Sequence, residues 1–127
     1  MGAVMDEAAE AIGRIMGLTP DEARATLVSM YGTDIADEVL AIGRVWNRPG
    51  LTRRERSLVV IAALSALGTL ARLRIHVGGA LHHGATREEI EEVIFTMMAY
   101  AGHARATEAI EVARAVFEGS GDPRDSL

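Results

Sequence analysis

Leu70-Ala71-Arg72-Leu73-Arg74-Ile75-His76-Val77-Gly78-Gly79-Ala80-Leu81-His82-His83 is the stretch from which the chain is best read. Stepped at about 100° per residue, Leu70, Leu73, Val77, Ala80 and Leu81 gather into one apolar arc of a helix. Arg72, His76, Gly79 and His83 fall on one edge of that arc, Arg74 falls on the opposite edge, and His82 points away. Two glycines in mid-helix cost on the order of 1 kcal/mol each relative to alanine. Gly78-Gly79 therefore implies close approach of another backbone, or room for a ligand. His76, flanked by a cation and a glycine at a core boundary, is a candidate proton donor in a pocket. The plainer reading is a packed or half-exposed imidazole. His82 and His83 read as a solvated pair at the helix C-terminus, an end that suits cationic groups. Metal ligation by His76, His82 and His83 is not expected, because His82 lies far round the helix and no carboxylate in the segment completes a ligand set.

Outward from this helix, punctuation marks define the others. Thr19 with Glu22, Thr52 with Glu55 and Thr86 with Glu89 form three capping boxes, each with a Thr to cap and a Glu to reach back. Pro20 occupies a first helical position, where its missing N–H costs nothing. Gly17, Gly32, Gly68, Gly84, Gly102 and Gly119 are the stops. Seven helices are predicted, over about 3–16, 20–31, 34–45, 53–67, 70–83, 87–100 and 103–118. Trp46 to Leu51, with Pro49-Gly50, is predicted to be a turn. Residues 119–127 read as a flexible tail of a single domain spanning 1–127. In the 53–67 helix nothing charged follows Arg56, so its second half is expected to be surrounded by other helices. Arg53, Arg54 and Arg56 read as a solvated start. Cations there oppose the helix dipole, which hints at carboxylates from another subunit or at an acidic ligand.

Composition narrows the function. The 127 residues are 49% hydrophobic but only 4% aromatic, which favours helices packed through small side chains. A net charge of −5 argues against nucleic acid as a partner and against a polybasic membrane anchor. Asp6, Glu7 and Glu10 interrupt the apolar start, so no secretory leader is read, and a cytoplasmic location is expected. The longest apolar run, Leu58 to Leu67, is roughly half of what a bilayer span requires. With no cysteine, the chain has no disulfide, thiolate ligand or thiol nucleophile. Acid–base and electrostatic chemistry remain.

Three stretches, in this order and spacing, carry a resemblance. They are Val45-Trp46-Asn47-Arg48-Pro49-Gly50-Leu51 followed by Arg53-Arg54-Glu55-Arg56-Ser57-Leu58-Val59, then Leu73 to Gly84, then Thr86 to Val93. With Tyr100-Ala101-Gly102 and an alanine-rich last helix, the chain resembles the gamma-carboxymuconolactone decarboxylase family over about 41–118. The resemblance implies an all-α, alkylhydroperoxidase D-like bundle of six or seven helices. It also implies homo-oligomers, trimers or hexamers, with sites between subunits. The peroxidase branch of that superfamily uses a Cys pair, a Glu and a His; laying His76 on its His puts Thr69, Arg72 and Ser57 at the other three positions, so thiol peroxidase chemistry is not expected. The decarboxylase branch, part of aromatic catabolism, removes CO2 from a lactone dicarboxylate without a cofactor. By that resemblance His76 is the acid, and Arg74 is its catalytic partner at the oxyanion or substrate carboxylate. Arg48, Arg56, Arg72 and His83 are further candidates for binding the small carboxylate substrate, with Trp46 as a wall of the pocket. No metal and no cofactor are expected.

The chain departs from the decarboxylase pattern at Leu40-Ala41-Ile42-Gly43, where that branch has Tyr-x-Trp-Gly. It departs again at Arg72, where the branch has Glu, and at His82-His83, where it has Asn-Asn. A pocket more apolar on one side and more cationic on the other is expected. Two other readings stay open on the residues. One is a cofactor-independent isomerase, cyclase or dehydratase of a biosynthetic pathway that uses His76 for proton transfer. The other is a non-catalytic helical oligomer.

Overall fold

The computed structural model describes residues 2–119, with side chains from Asp6 onward. Among them are eight helices and no strand: α1 (Gly2–Met16), α2 (Pro20–Tyr31), α3 (Thr33–Ala41), α4 (Gly43–Trp46), α5 (Arg53–Leu67), α6 (Leu70–His82), α7 (Arg87–Ala101) and α8 (His103–Phe117). Apart from Gly119, the expected tail lies outside the described residues. All three capping boxes form. Thr19, Thr52 and Thr86 accept from the third backbone N–H at 3.1–3.2 Å, and Glu22, Glu55 and Glu89 accept from the cap N–H at 2.8–2.9 Å. The six glycines read as stops all have positive φ, between 72° and 97°.

Two expectations need correction. The single helix over 34–45 is broken at Ile42, whose N–H bonds to Val39 rather than one residue further back, and α4 starts afresh at Gly43. The reason is Gly43. A Cβ there would overlap the carbonyl oxygen of Ala8, so the backbone of α4 lies directly against α1. The second half of α5 is not surrounded within this chain. Only the face bearing Ser57, Ile61 and Ser65 is buried, while Val59 is 58% and Leu67 70% exposed.

The helices divide into two packing units. In the C-terminal unit α5–α8 close over Ile61, Leu73, Val77, Ala80, Ile90, Ile94, Ala106, Ala109 and Ala113. In the N-terminal unit α1–α4 pack through Ala11, Ile12, Ile15, Met16, Leu27, Leu40 and Trp46, with Ile75 of α6 packed against them. Helix α6 serves both. Its expected apolar arc, Leu73-Val77-Ala80, enters the first core, and the opposite edge faces α1. Gly79 allows that approach: a Cβ there would sit 2.7 Å from Ile15 Cγ2 and 3.0 Å from the Ile15 carbonyl oxygen. Helix α1 is thus held between two glycines, Gly43 on α4 and Gly79 on α6. That clasp brings Trp46 and His76 onto one side of the molecule. No described helix is long and apolar enough to cross a membrane.

Candidate active site

A cleft of about 300 Å³ opens where α1, α2, α3, α4 and α6 meet. Helix α1 lines it with Ile12, Ile15 and Met16. Helix α2 adds Leu27, Met30 and Tyr31, and α3 with the break after it adds Val39 and Ile42. Trp46 forms one wall, and Arg72, Ile75 and His76 of α6 close the remaining side. The i, i+4 spacing of Arg72 and His76 places both on the cleft face of one helix, as expected from the sequence.

His76 lies stacked on Trp46, with ring centroids 6.3 Å apart and planes 14° from parallel. Its pKa is pushed down to about 4, first by burial, then by the positive charge of Arg72, with a further push from His83. Near neutral pH His76 is therefore a neutral imidazole with one N–H to give. Arg72 Nη2 donates to the Tyr31 hydroxyl at 2.9 Å, and its guanidinium lies 5.9 Å from the centre of the Tyr31 ring. The side chain is exposed at the rim, so the charge is aimed but hydrated.

His83 also meets Trp46, with ring centroids 5.3 Å apart and planes at 81°. The expectation of a solvated pair holds for His82 alone. His83 turns inward because Trp46 covers it, and both its ring nitrogens are buried without a hydrogen bond of good geometry. Burial first, then the Arg53 charge, lower its pKa to about 4, against a slight opposing pull from the Arg53 backbone. Around it lies a polar cluster in which Arg53 pairs with Glu10 at 2.7 Å and donates to Asn47 Oδ1 at 2.6 Å.

Other sequence-predicted residues stay apart from the cleft of this chain. Arg74 is exposed on the far edge of α6. Arg48 is exposed, and its carbonyl accepts from Arg56 Nη2 at 2.9 Å, which ties the turn to the start of α5. Partners for the arginines that open α5 come from within the chain: Glu10 of α1 for Arg53 and Glu89 of α7 for Arg54. Arg56 has no such carboxylate among the described residues: its Nη2 donates to the Arg48 carbonyl, and its buried Nε has no hydrogen-bond partner. Sequence reasoning missed Tyr31, which is 41 residues from Arg72 and carries no local signal. It also missed the aliphatic lining from α1 and α2, which looks like ordinary core periodicity. Among the described residues, no three His, Cys, Asp or Glu side chains come together in a way that could hold a metal ion.

Comparison with known proteins follows this geometry. The sequence profile of the Carboxymuconolactone decarboxylase family matches residues 39–115, from α3 to α8. A 4-carboxymuconolactone decarboxylase of Acinetobacter baylyi is 43% identical over 81 residues, covering 64% of this chain and 60% of the relative. A 15.0 kDa protein encoded between nqo9 and nqo10 in Paracoccus denitrificans is 40% identical over 77 residues, 59% of this chain and 58% of the relative. A nitrosuccinic acid decarboxylase of Metarhizium robertsii is 35% identical over 88 residues, 69% and 61%. The chain thus spans about three-fifths of the length of the curated relatives it matches. Since the profile covers most of the helices and includes Trp46, Arg72, His76 and His83, the chain belongs to the carboxymuconolactone decarboxylase family.

Proposed function

We propose that the protein is a cofactor-free carboxy-lyase acting on a small acid whose carboxylate is conjugated to, or lies β to, a carbonyl group. The observation that carries this reading is the pairing of a sheltered imidazole, His76, with one guanidinium, Arg72, along an apolar cleft. Loss of CO2 from such an acid leaves an electron pair that passes to the carbonyl oxygen. A cation facing that oxygen stabilises the charge where it develops, whereas a cation on the departing carboxylate alone would hold the ground state. Arg72, oriented by Tyr31, supplies the first arrangement. Two relatives named as decarboxylases, for 4-carboxymuconolactone and for nitrosuccinic acid, support the reaction class.

His76 completes the cycle as proton donor. Its ring is neutral in the empty cleft, and an arriving carboxylate offsets the Arg72 charge and favours proton uptake. The proton gained on binding is then returned to carbon after CO2 has left. Trp46 holds the ring from behind. Arg74 and Arg48, which lie outside the cleft of one chain, enter this scheme only from a neighbouring subunit. The exposed apolar side chains of α5 and α7, Leu67 at 70%, Phe95 at 65% and Tyr100 at 85%, favour such a neighbour. We take the assembly to be a cytoplasmic trimer or hexamer.

The test is CO2 release from 4-carboxymuconolactone and from a series of 3-oxo acids, with His76→Ala and Arg72→Leu alongside. His76→Ala is expected to slow turnover by roughly 100-fold or more. No CO2 from any of these acids, or equal rates with and without His76, sinks the reading. A substrate changed in a His76-dependent way without CO2 release favours an isomerase, cyclase or dehydratase instead.

A further inference from the structure

Resting on the carboxy-lyase reading above, we infer that Tyr31 is a further catalytic residue, whose hydroxyl donates a hydrogen bond to the oxygen on which charge collects as CO2 leaves. Tyr31 is the last residue of α2 and lines the cleft with Leu27 one turn before it. Its half-buried ring packs against the N-terminal core, which fixes the base from which the hydroxyl projects. The hydroxyl accepts from Arg72 Nη2 at 2.9 Å. A phenol oxygen that accepts one hydrogen bond still has its own O–H to give, and among the described residues that O–H meets no acceptor. Accepting from a guanidinium also draws electron density from the oxygen, which strengthens its O–H as a donor. The cleft is otherwise largely aliphatic, with Leu27, Val39 and Ile42 among its walls, so a hydrogen bond made there is screened less than in bulk water. The role does not depend on arginines that a neighbouring subunit adds, because Tyr31 gives the oxygen a directed donor rather than a charge.

The placement suits the reaction. In the enolate that CO2 leaves behind, the charged oxygen and the carbon to be protonated are separated by a single carbon. Arg72 and His76 lie one helical turn apart on the cleft face of α6, and Tyr31 meets α6 at Arg72. An oxygen held by Arg72 and Tyr31 therefore leaves the carbon next to His76. The C–C bond to the carboxylate breaks, CO2 departs and the electron pair moves onto that oxygen. Tyr31 keeps its proton, and the proton that reaches carbon comes from His76. Nothing is oxidised or reduced by an outside reagent. The oxygen carries far more charge in the transition state than in the bound acid, so the Tyr31 hydrogen bond acts on kcat rather than on KM.

Tyr31→Phe keeps the ring and removes the hydroxyl. For whichever acid releases CO2, kcat should fall roughly 100-fold with little change in KM. 4-Nitrophenol tests the same oxygen site without turnover. It is a single ring whose anion spreads charge as an enolate does, and Trp46, the chain's one tryptophan and a wall of the cleft, reports its binding by fluorescence. In mildly acidic buffer free 4-nitrophenol is largely protonated, so the yellow of its anion on binding shows an oxyanion held by the protein. Tyr31→Phe should weaken that binding roughly tenfold or more and lose the colour, with helical circular dichroism unchanged. Because the hydroxyl also accepts from Arg72, 3-fluorotyrosine separates donation from support: fluorination makes the hydroxyl a stronger donor and a weaker acceptor. The chain's other tyrosine is Tyr100, so incorporation in a Tyr100→Phe background labels Tyr31 alone. Tighter binding of 4-nitrophenol than by the unlabelled Tyr100→Phe chain is expected. Equal or weaker binding means that the hydroxyl only steadies Arg72, and it overturns the inference. If 4-nitrophenol is held as its anion in a Tyr31-dependent way but no acid loses CO2, the carboxy-lyase reading fails and the oxyanion site stands. If acids lose CO2 with a kcat indifferent to Tyr31→Phe, the reaction class stands and the inference fails.

Discussion

The two packing units of this small protein bury their apolar surface in different ways. Half of the C-terminal core is alanine, with Ala80, Ala85, Ala106, Ala109 and Ala113 set among Ile61, Leu73, Ile90 and Ile94. Small side chains let α5–α8 approach closely and fill the space between them. The N-terminal unit buries longer side chains, Ile12, Ile15, Met16, Leu27, Leu40 and Trp46, beside three alanines, on the 15-residue α1 and three shorter helices. These do not close, and the apolar cleft remains. The hollow on the other unit is a charged surface between α7 and α8, with Arg87, Glu88, Glu91 and Arg114 at its edge. A tightly filled core thus holds α6 steady, while a looser one leaves the other edge of the same helix open to a ligand. Stability and chemistry are divided between two edges of one helix.

The sharpest way to break that division is to hollow out the closed unit. Leu73 is fully buried one residue from Arg72, yet its side chain serves the opposite core. Leu73→Ala should cost about 3–5 kcal/mol of stability, read from the urea midpoint. Turnover measured well below the transition should change little. A large loss of turnover in a variant that remains folded would show that the two edges are not independent.

A smaller but more pointed effect is expected at the clasp. Gly43→Ala forces a methyl group into the Ala8 carbonyl, and neither backbone can yield without moving α1 against α4. The expected cost is about 1–3 kcal/mol. Because Trp46 lies three residues on, its emission and the cleft affinity should change together. Gly43→Ala with wild-type emission and unchanged stability would mean that the contact is not what sets the wall.

The sequence reports the closed unit better than the open one, and these variants show why. Capping boxes, glycine stops and the Leu73-Val77-Ala80 arc are local signals, governed by hydrogen bonds and spacing within a turn or two. The joint placement of Arg72 and His76 follows from the same helical periodicity. The break at Ile42 was not legible, because it depends on how closely α1 approaches Gly43 from some 35 residues away. Tyr31 escaped for the same reason, and so did the inward turn of His83, which needs Trp46 in place to cover it. Arg74 entered as a partner of His76 by resemblance alone; two residues along a helix is about 200° of rotation, which already set it on the opposite edge of α6.

Acid tests the open unit in particular. His76 and His83 both have folded-state pKa values lowered to about 4 from an ordinary 6.5. The unfolded chain takes up protons that the folded chain refuses. Their contribution is therefore fully present above about pH 6.5 and is lost as the pH falls toward 4. Carboxylates held low, such as Glu10, add their own loss only below their ordinary value of 4.5. Between pH 6.5 and 4.5 the decline in the urea midpoint should therefore come mainly from the imidazoles. His76→Gln should flatten part of it and the His76→Gln, His83→Gln pair more. A slope in that window that survives both substitutions would place its source elsewhere.

The smallest expected effect has the opposite sign. Ser57 and Ser65 lie on the buried face of α5, 1% and 0% exposed, and neither hydroxyl has a hydrogen-bond partner among the described residues. A buried hydroxyl left unpaired costs roughly 1–3 kcal/mol relative to a paired one, and replacing it with a methyl of nearly the same size removes that cost. Ser57→Ala and Ser65→Ala should therefore each be neutral or stabilising by up to about 1 kcal/mol, with turnover unchanged. The two sites differ in what a failure would mean. Destabilisation by Ser65→Ala would show that the closed unit is not dry, and that its hydroxyl is paired in solution. A loss of turnover with Ser57→Ala, at unchanged stability, would be the more consequential result, because it would carry the chemistry across α6 into the closed core.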